Sequence, residues 1–214
     1  MRTLRVPFIA DFEEVDLDTA LELEGARFQV DQVNWPAEFP YAPLCAGRIA
    51  RTEESLVVDF RVSGLDLRAR NTEDNGTQWE DSCVEFFVEN PDGSEYYNFE
   101  VNPLGKVLAA KGAGRDNRVK RPAEEMAQIL RTAKYEGAQD FQGGIWDWRV
   151  TLVIPFELLG AEVQAAHAEV HDKAFLGAGD AAGAQGSVGE GGGPVHLVHL
   201  EAGAFEFEIG RAHV

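Results

Sequence analysis

Apolar and polar positions alternate with period two most clearly in Trp79-Glu80-Asp81-Ser82-Cys83-Val84-Glu85-Phe86-Phe87-Val88. They do so again in Glu95-Tyr96-Tyr97-Asn98-Phe99-Glu100-Val101-Asn102-Pro103-Leu104-Gly105. Successive side chains of a strand point to opposite faces. Val84, Phe86 and Val88 therefore share one face of the first stretch, and Cys83, Glu85, Phe87 and Glu89 the other. In the second stretch Tyr97, Phe99 and Val101 stand opposite Tyr96, Asn98, Glu100 and Asn102. The intervening Asn90-Pro91-Asp92-Gly93 consists of turn formers, so the pattern predicts a β-hairpin with one apolar and one mixed face. With both mixed faces on one side of a sheet, Glu85, Asn98, Glu100 and Asn102 make a polar platform with Trp79 at its edge. Carboxylates and amides accept and donate in pairs, as vicinal sugar hydroxyls require, and an aromatic ring can lie against the C–H face of a pyranose.

The same reading along the chain predicts further strands over 28–33, 44–50, 56–62, 106–110, 131–135 and 146–154, and a short one over 65–70. Ser63-Gly64 and Gly143-Gly144 read as breaks. Residues 1–26 read as a leading strand or edge segment, and 35–43 as a Pro- and aromatic-rich loop whose Trp35 either packs on the domain or reaches a ligand. Short helical turns are predicted near 122–130, with Pro122 in the first turn, and near 155–160. The fold class that follows is all-β, an antiparallel, jelly-roll-like β-sandwich over residues 1–160.

Composition narrows the partners. A formal net charge of −18 in 214 residues and a pI near 4.6 argue against nucleic acid and an anionic membrane, which need a basic footprint. No apolar run approaches a membrane span. The start, Met1 to Glu14, turns acidic too soon for a signal peptide. The chain as written is expected in the cytoplasm, and outside the cell if its N-terminus is incomplete. A monomer is expected. Cys45 and Cys83 read as buried free thiols, with a disulfide as the alternative.

Candidate chemistry outside the hairpin is thin. The oxygens of Asn71-Thr72-Glu73-Asp74-Asn75-Gly76-Thr77-Gln78 make calcium the one cofactor considered, against a plain solvated acidic loop. Arg115, Arg118 and Arg121 lie in the one positive stretch, and either balance surface charge or recognise an acidic sugar or a phosphate. Glu85 and Glu100 also admit an enzyme reading, a glycoside hydrolase with two carboxylates. No nucleophile elbow, P-loop, dinucleotide fingerprint or HExxH occurs.

The hairpin motifs, with Val33-Asn34-Trp35, Phe39-Pro40-Tyr41-Ala42-Pro43 and Trp148-Arg149-Val150-Thr151-Leu152-Val153-Ile154-Pro155, resemble the family 9 carbohydrate-binding modules, in the family-9-like branch. The resemblance covers about the first three quarters of the chain. It implies a β-sandwich that binds a mono- or oligosaccharide without cleaving it. It implies that Trp79 stacks on a sugar face, that Glu85 binds sugar hydroxyls and that Asn102 belongs to the same site. Glu100 stands where the sugar-binding branch tends to carry arginine. A haem-binding relative of the same superfamily is disfavoured, because Met1, Met126 and the late histidines are the available axial ligands.

After residue 160 the composition changes. Residues 161–214 contain no Trp, Tyr, Asn or Thr, hold all five histidines, and include eight glycines among residues 177–193. Such a stretch buries little and loses much chain entropy. It reads as a disordered or frame-slipped tail. A one-base shift lets His196-Leu197-Val198-His199-Leu200 read Thr-Trp-Ser-Thr-Trp, and Ile209 to Val214 looks like a translated sequencing adapter. The pairs His167–His171 and His196–His199 have metal-ligand spacing but no supporting context.

Overall fold

The computed structural model describes residues 4–10, 17–31, 37, 41–89, 94–135, 140–159, 168–171, 197–202 and 205–213. These form two sheets. One has eight strands, in the order β1 (Arg5–Val6), β11 (Ala168–His171), β12 (Leu197–Ala202), β13 (Phe205–His213), β5 (Cys83–Glu89), β6 (Tyr96–Val101), β7 (Val107–Gly112) and β8 (Val119–Lys120). The other has five, in the order β2 (Ala26–Val30), β3 (Leu44–Arg51), β4 (Ser55–Arg68), β10 (Asp140–Pro155) and β9 (Leu130–Tyr135). The strand pairs in both sheets are antiparallel.

The alternation explains the sandwich. Leu56, Val58, Phe60 and Val62 of β4 and Trp148, Val150, Leu152 and Ile154 of β10 turn to one side. They meet Val84, Phe86 and Val88 of β5 and Tyr97, Phe99 and Val101 of β6 in a single core. A line of rings crosses the gap: Phe28–Phe60 at 5.4 Å edge-on, Phe60–Phe86 at 6.3 Å, and Phe86–Phe99 stacked at 4.6 Å. Each buried phenylalanine contributes about 1.5–3 kcal/mol, which makes this line the main tie between the sheets. Gly47 is part of it, because a Cβ there would lie 2.2 Å from Phe28 Cζ.

The predicted helical turns are present as α2 (Ala123–Met126) and as the hydrogen-bonded turn at Phe156–Leu159. Three local expectations are corrected. Residues 17–24, read as strand or edge, form the helix α1 (Leu17–Glu24). Its Leu21 is fully buried with Ile9, Ala50 and Val57, and Leu17 and Ala20 pack beside it, which is the i, i+3, i+4 spacing of one helical face. Ser63-Gly64 does not end a strand, because β10 pairs with β4 straight through Ser63 and Gly64. Gly143-Gly144 is not a break either. It lies in a register shift between Phe141 and Ile145 within β10, a bulge that takes up extra residues without ending the ladder.

Candidate functional site

Strands β5 and β6 pair so that Glu85 stands directly opposite Glu100, and Phe87 opposite Asn98. Cross-strand partners share a face, so the register places Glu85, Asn98 and Glu100 on the side of the sheet away from the core. The two mixed faces predicted above therefore coincide. β7 extends this face with Leu108 beside Glu100 and Ala110 beside Asn98. On the other flank β13 places Gly210 opposite Glu85 and Glu208 opposite Phe87. Glu85, Asn98 and Glu100 are 3%, 1% and 6% exposed, so these polar groups lie below the surface. Asn98 Nδ2 donates to Glu100 Oε1 at 2.9 Å. Asn98 Oδ1 is buried and accepts no hydrogen bond among the described residues.

Trp79 sits in a 3-10 turn, Gln78–Glu80, that packs against β5 and β6. Trp79 is 42% exposed. What holds this turn is Asp81, which sequence reasoning passed over. Asp81 Oδ1 accepts from Arg70 N at 3.0 Å, and Oδ2 accepts from Asn71 N and Asn102 Nδ2, both at 2.9 Å. Asn102 is fully buried and is the other half of this lock. Its Nδ2 also donates to Asn71 O at 2.8 Å, while its Oδ1 accepts from Leu104 N at 3.1 Å and Lys106 N at 3.0 Å. All four hydrogen-bonding positions of the amide are thus taken by the chain. The structure places Asn102 behind the Trp79 turn rather than in the row of Glu85, Asn98 and Glu100. The signal for Asp81 was present in the sequence, as an Asp closing a polar turn two residues after an exposed aromatic.

The loop considered for calcium uses its oxygens on N–H groups. Asp74 Oδ1 accepts from Arg131 Nη1 at 2.7 Å and Val107 N at 3.0 Å. Asn75, at φ 56°, accepts from Ala109 N and donates to Arg121 O. The loop is therefore tied to β7 rather than simply solvated. No group of three or more His, Cys, Asp or Glu among the described residues could hold a metal ion. Trp35, His167 and His196 lie outside the described residues.

Cys45 and Cys83 are free and buried. Burial pushes the Cys45 thiol up to about 12. Burial pushes Cys83 well above its ordinary value, and the Glu85 and Glu100 carboxylates add to the rise. Of the three arginines in the positive stretch, Arg121 is held by Glu125 through two bonds of 2.6 Å, Arg115 is exposed, and Arg118 lies 5.8 Å from the centre of the Tyr96 ring.

A protein of Bacteroides uniformis inferred to bind carbohydrate has the same fold, with TM-score 0.66 and 24% identity over 98% of this chain and 88% of that one. A family 9 carbohydrate-binding module of Caldicellulosiruptor kristjanssonii, solved with glucose, aligns with TM-score 0.50 and 12% identity over 96% of this chain and 83% of that one. No curated protein matches. The profile of carbohydrate-binding family 9 matches residues 15–182, a span that includes the hairpin and the loop locked by Asp81, and the chain belongs to that family.

Proposed function

We propose that this chain binds a mono- or oligosaccharide without cleaving it, on the outer face of the β5–β6 hairpin. The observation that carries the reading is the Asn98 amide. Its nitrogen is fixed on Glu100 while its oxygen is buried without a donor among the described residues. A buried polar atom left open costs about 1–3 kcal/mol, a cost that a ligand hydroxyl offsets. Glu85 and Glu100 supply further acceptors in the same row, and the exposed Trp79 indole offers a stacking surface at the rim. Asp81 and Asn102 act as positioning residues that hold Trp79 beside the row. The family match and the glucose-bound relative of the same fold support a neutral sugar as ligand.

The arrangement disfavours hydrolysis. A glycosidase sets its two carboxyl groups on either side of the scissile bond. Glu85 and Glu100 instead rise side by side from one face of one sheet. The test is calorimetric titration with glucose and cellobiose, with release of reducing sugar followed in parallel. Saturable binding is expected. Trp79→Ala and Asn98→Ala are each expected to weaken it about tenfold or more, which corresponds to about 1.4 kcal/mol, with no sugar released. Absence of binding by the folded chain, or sugar release that Glu85→Gln abolishes, would overturn the reading.

A further inference from the structure

We propose that the platform continues past Asn98 into a second subsite, formed by Phe87, Tyr96 and Arg118, that takes a uronic acid residue of an oligosaccharide. The inference rests on the reading of the hairpin as a sugar site. Tyr96 shares the platform face, two positions from Asn98, and Phe87 is the register partner of Asn98. The two rings lie 5.9 Å apart, tilted by 58°, and both are half-buried. The row of Glu85 and Glu100 is four residues from Tyr96 along β6, about 13 Å, a length that accommodates linked pyranose units rather than one.

Arg118 is brought onto this face by a glycine. Gly112 is the partner of Tyr96, and a Cβ at Gly112 would lie 2.8 Å from Arg118 Cα and 2.6 Å from Asn117 O. The missing side chain lets the turn at Arg115–Asn117, and Arg118 after it, lie directly beside Tyr96. The neighbouring cations are engaged: Arg121 with Glu125, Lys111 with Glu95 at 3.4 Å, and Lys120 with Asn75 O at 2.6 Å. Arg118 Nε donates to Arg115 O at 3.3 Å, and its two Nη groups have no partner among the described residues. A guanidinium with an open fork matches a carboxylate bidentately. In a uronic acid the carboxylate is attached directly to the ring, and the Arg118 guanidinium, which lies over the Tyr96 ring at 5.8 Å from its centre, is within reach of the carboxylate of a pyranose packed beside Phe87 and Tyr96. With a formal net charge of −18, the overall field repels an acidic saccharide, and any preference for one must arise locally.

The test titrates the full chain, by calorimetry, with cellotriose and with trigalacturonic acid. Trigalacturonic acid is expected to bind roughly tenfold more tightly. Arg118→Met, and also Arg118→Lys, which lacks the fork, are expected to remove that advantage, with the loss falling on trigalacturonic acid far more than on cellotriose. Equal affinity for the two sugars, or a preference that survives in Arg118→Met, would overturn the subsite while leaving the Trp79-dependent site standing. Uronate binding that needs Arg118 but not Trp79 would uphold the subsite and remove the reading of the Trp79 platform. A folded chain that binds neither sugar overturns both.

Discussion

Asn102 answers four hydrogen-bonding groups with one amide, and they belong to separate segments: Asn71 and Asp81 in the loop before β5, and Leu104 and Lys106 in the turn after β6. Asn102→Ala leaves several buried groups unanswered and is expected to cost about 2–4 kcal/mol in urea unfolding. Sugar binding should weaken with it, because the Trp79 turn loosens. Asn98→Ala is the contrasting case, since only one of its bonds is internal, so binding should suffer more than stability. The thiols make a second residue-scale prediction. With both pushed upward by burial, neither is expected to react with a thiol-directed disulfide reagent at pH 8 in the native protein, and both should react once unfolded. Their raised values mean that the native state keeps these protons as the unfolded chain loses them. Stability from this source is therefore complete below the ordinary thiol value of 9.0 and declines as pH rises above it.

At the scale of elements, α1 depends on both packing and charge. Leu21 anchors its apolar side. Beside it, Arg149 donates to both oxygens of Asp18 at 2.9 Å and to the fully buried Asp59, which also accepts from Thr151 Oγ1 at 2.8 Å and Arg61 Nε at 3.0 Å. Partial burial works to raise the Asp18 carboxyl, but the hydrogen bonds and charges of Arg149 and Lys134 bring it below its ordinary 3.8. A depressed carboxyl stabilises above its unfolded value and loses that contribution as pH falls through the folded one. Docking of α1 is therefore expected to weaken below about pH 3.8, seen as faster hydrogen exchange of its amides relative to those of β4. Asp18→Asn should reduce the acid dependence of that difference, leaving the share due to Glu22, whose carboxyl the hydrogen bond from Arg61 and the charges of Arg61 and Arg48 also hold below its ordinary value. Unchanged protection of α1 in acid would contradict the account.

For the whole molecule the telling contact is β13 on β5, from Phe207 opposite Val88 to His213 opposite Cys83. It covers a hairpin edge that would otherwise present a row of open N–H and C=O groups. Removing residues 161–214 is expected to produce dimers or larger aggregates in light scattering, since an uncovered edge pairs with another chain. A truncated chain that stays monomeric and equally stable would show that the edge needs no cover. Sequencing the coding DNA across Leu159 to Val214 tests the frame-slip expectation directly, because one uninterrupted frame removes it.

The faces of the hairpin strands were legible in the sequence, because the period of two is local covalent geometry. The same holds for the core, where Val84, Phe86, Tyr97 and Phe99 could be assigned before any pairing was known. Partnership was not legible. That Glu85 meets Glu100, that Arg118 lies over Tyr96 while Arg121 pairs with Glu125, and that Asn102 serves the loop all depend on register and on segments far apart in the chain. Elements run differently from the local pattern where a neighbour overrides it. β4 crosses Gly64 because β10 continues its ladder. α1 forms because Ile9, Ala50 and Val57 bury one side of eight residues, too few to hold a helix alone. Local chemistry chose which side each residue shows, and long-range packing decided what it faces.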